Sequence, residues 1–254
     1  MSSFFTDLSA QLVLSAALVT FLAGTVKGVT GFAMPMIMIS GLSSFIAPEL
    51  ALAALIVPTL VANTWQALRQ GPAAARATIR RFGLFLAVGL VALVTSAQMV
   101  RVMPTQVLFL LIGLPITAFA AMQLAGFRPT LKPARWIEAL IGGFAGFIGG
   151  VSGVWGPPTV AYLTAIDTPK ADQMRVQGVI YALGAVALSG AHLRSGVLGA
   201  ATLPFSVLMV VPALAGMLLG LRIQDRFDQT TFRLVTLAVL VVAGANLVRR
   251  GLMG

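Results

Sequence analysis

Eight long apolar blocks, joined by short polar links, make up most of this 254-residue sequence. They lie at residues 9–39, 48–68, 82–100, 105–125, 136–165, 173–192, 199–221 and 231–248. A helix of roughly 20 apolar residues crosses the hydrocarbon core of a bilayer, and a water-soluble fold could not hide so much apolar surface. Inside a bilayer the backbone must satisfy its own hydrogen bonds, which favours helices. The sequence therefore predicts an all-α, multi-pass membrane protein with about eight hydrophobic segments.

Charge and composition narrow the partners that such a chain can have. The sequence holds 17 Lys and Arg against 7 Asp and Glu, and most of the bases lie in the links, where a cytoplasmic loop meets anionic lipid. No loop is long enough for a nucleic-acid recognition module. With no cysteine and one histidine, thiolate chemistry is excluded and a histidine metal site is not expected. We expect the lipid bilayer as a partner, and neither nucleic acid, metal nor cofactor.

A glycine-rich motif occurs twice. Residues 24–35, GTVKGVTGFAMP, align with residues 146–157, GFIGGVSGVWGP, at a constant offset of 122. Residues 68–71 return as residues 193–196 at an offset of 125. Because order and spacing both persist, we interpret the chain as a duplication. Residues 1–125 form the first transmembrane repeat, 126–135 a basic linker loop and 136–254 the second transmembrane repeat.

The first block of each half is too long for one ordinary crossing and carries the motif near its middle. If each first block crosses once, the halves share one orientation and the loop bases divide ten against six between the two sides. If each turns back at its glycines as a re-entrant hairpin, the halves are inverted and the same bases divide twelve against four. The positive-inside rule favours the inverted repeat, with both termini outside and the link at residues 69–81 in the cytoplasm.

A glycine-broken helix inside a membrane is a candidate anion site. Its unpaired N–H groups need a partner, glycines let a ligand approach closely, and the following helix N-terminus favours negative charge. Thr30 and Ser152 add hydroxyl donors. The alternative is close packing of helices, which also uses glycines at this spacing. The motif residues predicted to bind substrate are Gly28, Thr30, Gly31, Gly150, Ser152 and Gly153.

Three larger side chains extend the predicted site. Lys27 is a base in the interior of an apolar block, where burial of a charge is expensive, and it would hold an anion; its counterpart is Gly149. The alternative is an ammonium neutralised by backbone carbonyls or reaching a water-filled vestibule. Arg175 is a second candidate cation, or an interfacial anchor. Trp155, where the first motif has Ala33, could wall a pocket or simply pack.

Other polar residues bear on hydrogen bonding and on coupling. Asn63, Tyr162 and Tyr181 lie within apolar segments and could bond substrate or neighbouring helices. Glu49 and Glu138 fall near the beginnings of blocks, so no carboxylate relay is evident deep in the membrane. Coupling would then rest on the proton of the substrate itself, or be absent. The histidine, His192, is interpreted as interfacial, with proton coupling as the alternative.

The two motifs, KGVTGF at residues 27–32 and GGVSGVWGPP at residues 149–158, resemble those of the TauE/SafE sulfite exporter family. The resemblance covers nearly the whole chain. It implies transport of sulfite, or of organosulfonates such as sulfoacetate or taurine, across the bacterial inner membrane. The sequence departs from the family at Ala33 and Trp155, which bears on the size and shape of the substrate. Binding of a sulfonate requires several hydrogen-bond donors and a cation. Lys27, the hydroxyls of Thr30 and Ser152 and the backbone N–H groups of the motif glycines could provide them.

We therefore expect a secondary transporter of a small anion. A passive anion channel or an accessory membrane subunit is the alternative. A membrane-embedded enzyme is disfavoured, because the sequence has no His pair, no Cys and no Ser-His arrangement with a third orienting group.

Overall fold

The computed structural model describes residues 9–97, 104–127, 131–132, 134–152, 155–194 and 196–253. Within these ranges the regular structure is entirely helical, which confirms the all-α prediction. The helices are α1 (Ala10–Thr30), α2 (Met34–Leu42), α3 (Pro48–Leu68), α4 (Pro72–Arg81), α5 (Gly83–Ala97), α6 (Thr105–Leu124), α7 (Arg135–Ser152), α8 (Gly156–Ala165), α9 (Lys170–Arg194), α10 (Leu203–Leu208), α11 (Val210–Asp225) and α12 (Gln229–Met253).

Among the described residues, five helical stretches are long and apolar enough to span a membrane. A sixth span results if α4 and α5, which meet at a bend of 76°, are counted as one broken span. The five stretches are Ala10–Thr30, Glu49–Leu68, Lys170–Arg194, Leu203–Asp225 and Gln229–Met253. The protein is thus a multi-pass membrane protein, whereas the eight-segment layout stays a prediction. The interpretation of residues 69–81 as a simple polar link was incomplete, because most of that link is the helix α4.

The first apolar block is broken at the glycine motif. Helix α1 is capped by Gly31 in the left-handed conformation (φ 86°), and α2 starts at Met34. Near the end of α2, a Cβ on Gly41 would lie only 2.6 Å from Cγ1 of Val19, in the middle of α1. Helix α2 therefore folds back along α1 as a hairpin. In the second half α7 ends at Ser152 and α8 starts at Gly156, with residues 153–154 outside the described part.

Two compact units make up the chain, and each takes segments from both predicted repeats. The first comprises Met1–Ala67 and Gly178–Arg226, and the second comprises Leu68–Gln177 and Phe227–Gly254. The assignment of the repeats themselves stays a prediction.

In the first unit, α1 and α11 pack in parallel at backbone distance. Thr20 donates to the sulfur of Met209 at 3.5 Å, and a Cβ on Gly24 would lie 2.2 Å from the carbonyl oxygen of Ala213. Four residues further along each helix, a Cβ on Gly28 would lie 2.3 Å from the carbonyl oxygen of Met217. Small residues at these positions let the helix backbones touch, as is common inside membranes.

The second unit contains two close helix pairs. Helices α5 and α7 are parallel: a Cβ on Gly142 would lie 2.7 Å from the carbonyl oxygen of Phe85, and one on Gly146 would lie 2.0 Å from that of Gly89. Helices α6 and α12 are antiparallel, because Gly251 contacts the start of α6 at Gln106, whereas Gly244 contacts Thr117 further along it.

Candidate functional site

Lys27 is buried in the last turn of α1, with 1% of its surface exposed. Its ammonium donates to Oδ1 of Asn63 at 2.6 Å and to the carbonyl oxygen of Gly31 at 3.3 Å, and it lies 5.8 Å from the centre of the Tyr181 ring. In the described part of the chain no carboxylate is within ion-pair distance of it. The buried cation is thus held by neutral acceptors, an aromatic face and the negative end of α1.

The hydrogen bonds around Lys27 orient its partners. The side-chain amide of Asn63 donates to the backbone carbonyl of Tyr181 at 3.2 Å, which turns Oδ1 toward the ammonium. One helical turn later on α3, buried Gln66 donates to the carbonyl oxygen of Gly31 at 3.2 Å. Sequence reasoning identified Asn63 and Tyr181 and missed Gln66. The signal for Gln66 is its spacing of three residues from Asn63, which puts both amides on one helix face.

The turn between α1 and α2 presents backbone groups beside Lys27. The Gly31 N–H donates to the carbonyl oxygen of Lys27 at 2.6 Å, closing the helix with a left-handed cap. Ala33 also has a positive φ of 71°, a conformation in which a side chain is strained. Helix α2 starts with no side-chain cap and carries Pro35 in its first turn, a position that suits proline.

Gly28 and Thr30 face structural partners. Gly28 packs against the backbone of α11, which is the close-packing alternative for this part of the motif. The buried Thr30 hydroxyl donates to the carbonyl oxygen of Val26 at 2.9 Å. The structure brings Lys27, Gly28, Thr30 and Gly31 together at the end of α1, and their role in substrate binding stays a prediction.

The second motif belongs to the other unit. Gly150 is half-buried in α7 and Ser152 ends that helix, while the Ser152 side chain and all of Gly153 lie outside what the structure describes. The half-buried Trp155 packs against Gly149, where an added Cβ would lie 2.9 Å from the indole. Gly149 is the counterpart of Lys27, so the aromatic ring takes up space that a side chain at position 149 would need.

Arg175 is held by three neighbours in the second unit. Its guanidinium donates to Oγ1 of Thr78 at 2.8 Å and to the side-chain oxygen of Gln70, and it forms an ion pair with Asp172 at 2.7 Å. These contacts hold the start of α9 against α4. They favour the interpretation of Arg175 as an anchor over its interpretation as a substrate-binding cation.

Comparison with protein-family models matches residues 16–247 to the family described as sulfite exporter TauE/SafE. The chain belongs to the TauE/SafE family. The match covers both glycine motifs and confirms the resemblance seen in them. Comparisons with curated proteins and with solved structures found no match.

TauE/SafE membership makes this chain a member of a membrane transporter family. Among the described residues no group of three or more His, Asp and Glu is arranged to hold a metal ion. Those residues do include a carboxylate whose environment the sequence did not reveal: Glu138, in the first turn of α7, is only 5% exposed.

Proposed function

We propose that this TauE/SafE protein is a secondary carrier of a small anion, sulfite or an organosulfonate such as sulfoacetate or taurine, across the bacterial inner membrane. The observation that carries the proposal is the buried ammonium of Lys27, which has no carboxylate partner in the described ranges. A buried charge is costly until an opposite charge reaches it. A substrate anion can supply that charge.

The geometry at the helix break suits a sulfonate. An ammonium has three N–H donors, and Lys27 uses two of them on Asn63 and Gly31. The uncapped N-terminus of α2 begins at the same break and adds N–H groups and a positive dipole end. A three-oxygen head group would accept from both, while Thr30 and the Gly31 backbone at the same break are the candidates to complete its shell.

We also propose the inverted-repeat layout with re-entrant first segments. Two observations support it: α2 folds back along α1, and α6 runs antiparallel to α12. Helices α6 and α12 are the last apolar helices of the two predicted halves, so they would run in the same direction if the halves shared one orientation. The twelve-to-four division of loop bases agrees. Inverted repeats that meet at broken helices are a common architecture of secondary transporters.

A counterflow assay tests the proposal that the protein is a carrier. Proteoliposomes are loaded with unlabelled sulfite, sulfoacetate, taurine or carboxylates of matched size, and a labelled sulfonate is supplied outside. We expect accumulation driven by internal sulfonates and not by the carboxylates. A channel would give equilibration without accumulation, and absence of any sulfonate-driven uptake would contradict the proposed substrate class.

Lys27→Ala tests the site. We expect counterflow to fall at least about tenfold, the loss that follows removal of one charge-assisted bond to an anion. Lys132→Ala, which removes an exposed lysine, is the matched control and should leave counterflow unchanged. Ser152→Ala should also lower transport. Wild-type counterflow in both variants, with normal expression, would contradict the predicted roles of Lys27 and Ser152 in substrate binding.

A further inference from the structure

We propose that Glu138 is the proton-binding residue that couples proton movement to anion transport, an inference that rests on the carrier function proposed above. Glu138 lies in the first turn of α7, and its side chain is 6% exposed. One carboxylate oxygen, Oε2, accepts from Nη1 of Arg81 at 3.3 Å, and the Arg81 side chain is 53% exposed. The ion pair therefore joins a buried acid to a base that reaches the surface.

Two buried side-chain oxygens of Glu138 and Tyr162 lack hydrogen-bond partners among the described residues. Oε1 of Glu138 is buried without a hydrogen-bond partner in the described part of the chain, and so is the hydroxyl of Tyr162 on α8. The Tyr162 phenol lies within range of the charges of both Glu138 and Arg81. Its ring stacks on Phe85, with centroids 6.0 Å apart.

Close packing of α5 and α7 builds this cluster. Phe85 and Gly142 touch one turn after Arg81 and Glu138, respectively, so the ion pair continues the glycine-based contact. The other ionisable groups near the pair are Arg76 and Arg80 on α4, since the described residues of α5 and α6 include none. On α8 the titratable side chain is Tyr162, and on α7 itself the other charged residue is Arg135, which is exposed.

Proton uptake would change the partner of the Glu138 carboxyl group. The ionised carboxylate is stabilised by Arg81 and by the N-terminal end of α7. The protonated carboxyl gains an O–H donor, for which we assign the Tyr162 hydroxyl, unpartnered within the described ranges, as acceptor, and it no longer neutralises Arg81. The ionised form is thus paired with Arg81, and the neutral form is assigned to Tyr162.

Loss of the ion pair between Glu138 and Arg81 would link proton binding to anion binding. The guanidinium also lies over the Phe82 ring at 5.0 Å and borders an open depression on α4 lined by Arg76 and Arg80. Freed from Glu138, Arg81 adds its charge to this basic surface and attracts an incoming anion. Proton binding and anion binding then favour each other, which is reciprocal coupling. The expected outcome is symport, with the proton moving in the same direction as the anion.

The test uses the full-length protein in proteoliposomes that enclose a pH-sensitive dye, with the membrane potential clamped by potassium and valinomycin. External sulfoacetate, whose sulfonate stays ionised near neutral pH, is added to vesicles free of it. We expect the wild-type interior to acidify as sulfoacetate enters. Glu138→Gln should lower this acidification at least tenfold while labelled sulfoacetate still exchanges in counterflow. Glu49→Gln, which removes the charge of an exposed first-turn glutamate, is the matched control and should acidify like wild type.

The outcomes separate the two proposals. Counterflow without proton movement in the wild type, or acidification by Glu138→Gln equal to that of Glu49→Gln, would overturn the role of Glu138 and leave the carrier intact. No counterflow in the wild type would remove the carrier and this inference with it. If Glu138→Gln fails to fold, Tyr162→Phe decides instead: several-fold weaker acidification with normal exchange supports the proposal, and unchanged acidification overturns it.

Discussion

Lys27 and Ala33 stand where the second half has Gly149 and Trp155. In the first half the large side chain comes from α1 and the small one from the turn, whereas the second half reverses the two sizes. The Trp155 ring packs on Gly149, so a lysine at position 149 would have no room. Among the described residues of the two motifs, the cation is therefore found in the first half.

Ala33 offers a prediction at this scale. Its φ of 71° is a conformation that costs a residue with a Cβ about 1–2 kcal/mol and that glycine adopts freely. Ala33→Gly should therefore raise the free energy of unfolding by up to about 1 kcal/mol, after the extra entropy of glycine in the unfolded chain is subtracted. Thermal unfolding in detergent measures it, and a lower melting temperature in the variant would contradict the strain argument.

At the scale of helices, glycines at different positions of the repeated motif have different structural roles. Its early glycines, Gly24 and Gly28 in the first half and Gly146 in the second, let helix backbones touch. Its late glycine, Gly31, forms the left-handed turn. Both interpretations of the motif thus apply, at different positions. The packing glycines bring α1 against α11 and α7 against α5, and the second contact sets Glu138 beside Arg81.

Packing glycines should tolerate no side chain. Gly24→Ala and Gly146→Ala would place a Cβ 2.2 and 2.0 Å from backbone carbonyl oxygens, so the helices must separate. We expect each to lower stability by about 1–3 kcal/mol. Gly190→Ala is the control, because its Cβ meets no atom within 4 Å and the better helix former should be neutral or stabilising. Equal melting temperatures for all three variants would refute the assigned contacts.

At the scale of the whole molecule, helices from one predicted repeat pack against helices from the other. Helix α1 of the first half packs on α11 of the second, and α7 of the second half packs on α5 of the first. Each compact unit is therefore composite. A duplication whose halves exchange helices in this way cannot be cut at the linker into two self-contained packed cores.

The inverted layout makes a prediction at the same scale. The chain has no cysteine, so single cysteines report membrane sidedness directly. A cysteine at exposed Ala73, at the start of α4, should react with a membrane-impermeant maleimide only from the cytoplasmic side. One added after Gly254 should react only from outside, because α12 would end opposite α4. A cytoplasmic C-terminus would contradict the layout.

The sequence by itself determined the class of this protein, its family, the break in its first segment and a lysine at that break. Those features follow from local patterns: apolar length, repeated glycines and a charge among apolar residues. Only the tertiary structure decided which glycines pack and which one turns, that Arg175 is already bound by neighbours, and that Glu138 is buried. Glu138 stands near the beginning of an apolar block, where a sequence suggests exposure. Its burial accompanies the packing of α7 against α5 and its ion pair with Arg81 on α4, which are contacts that no single stretch of sequence encodes.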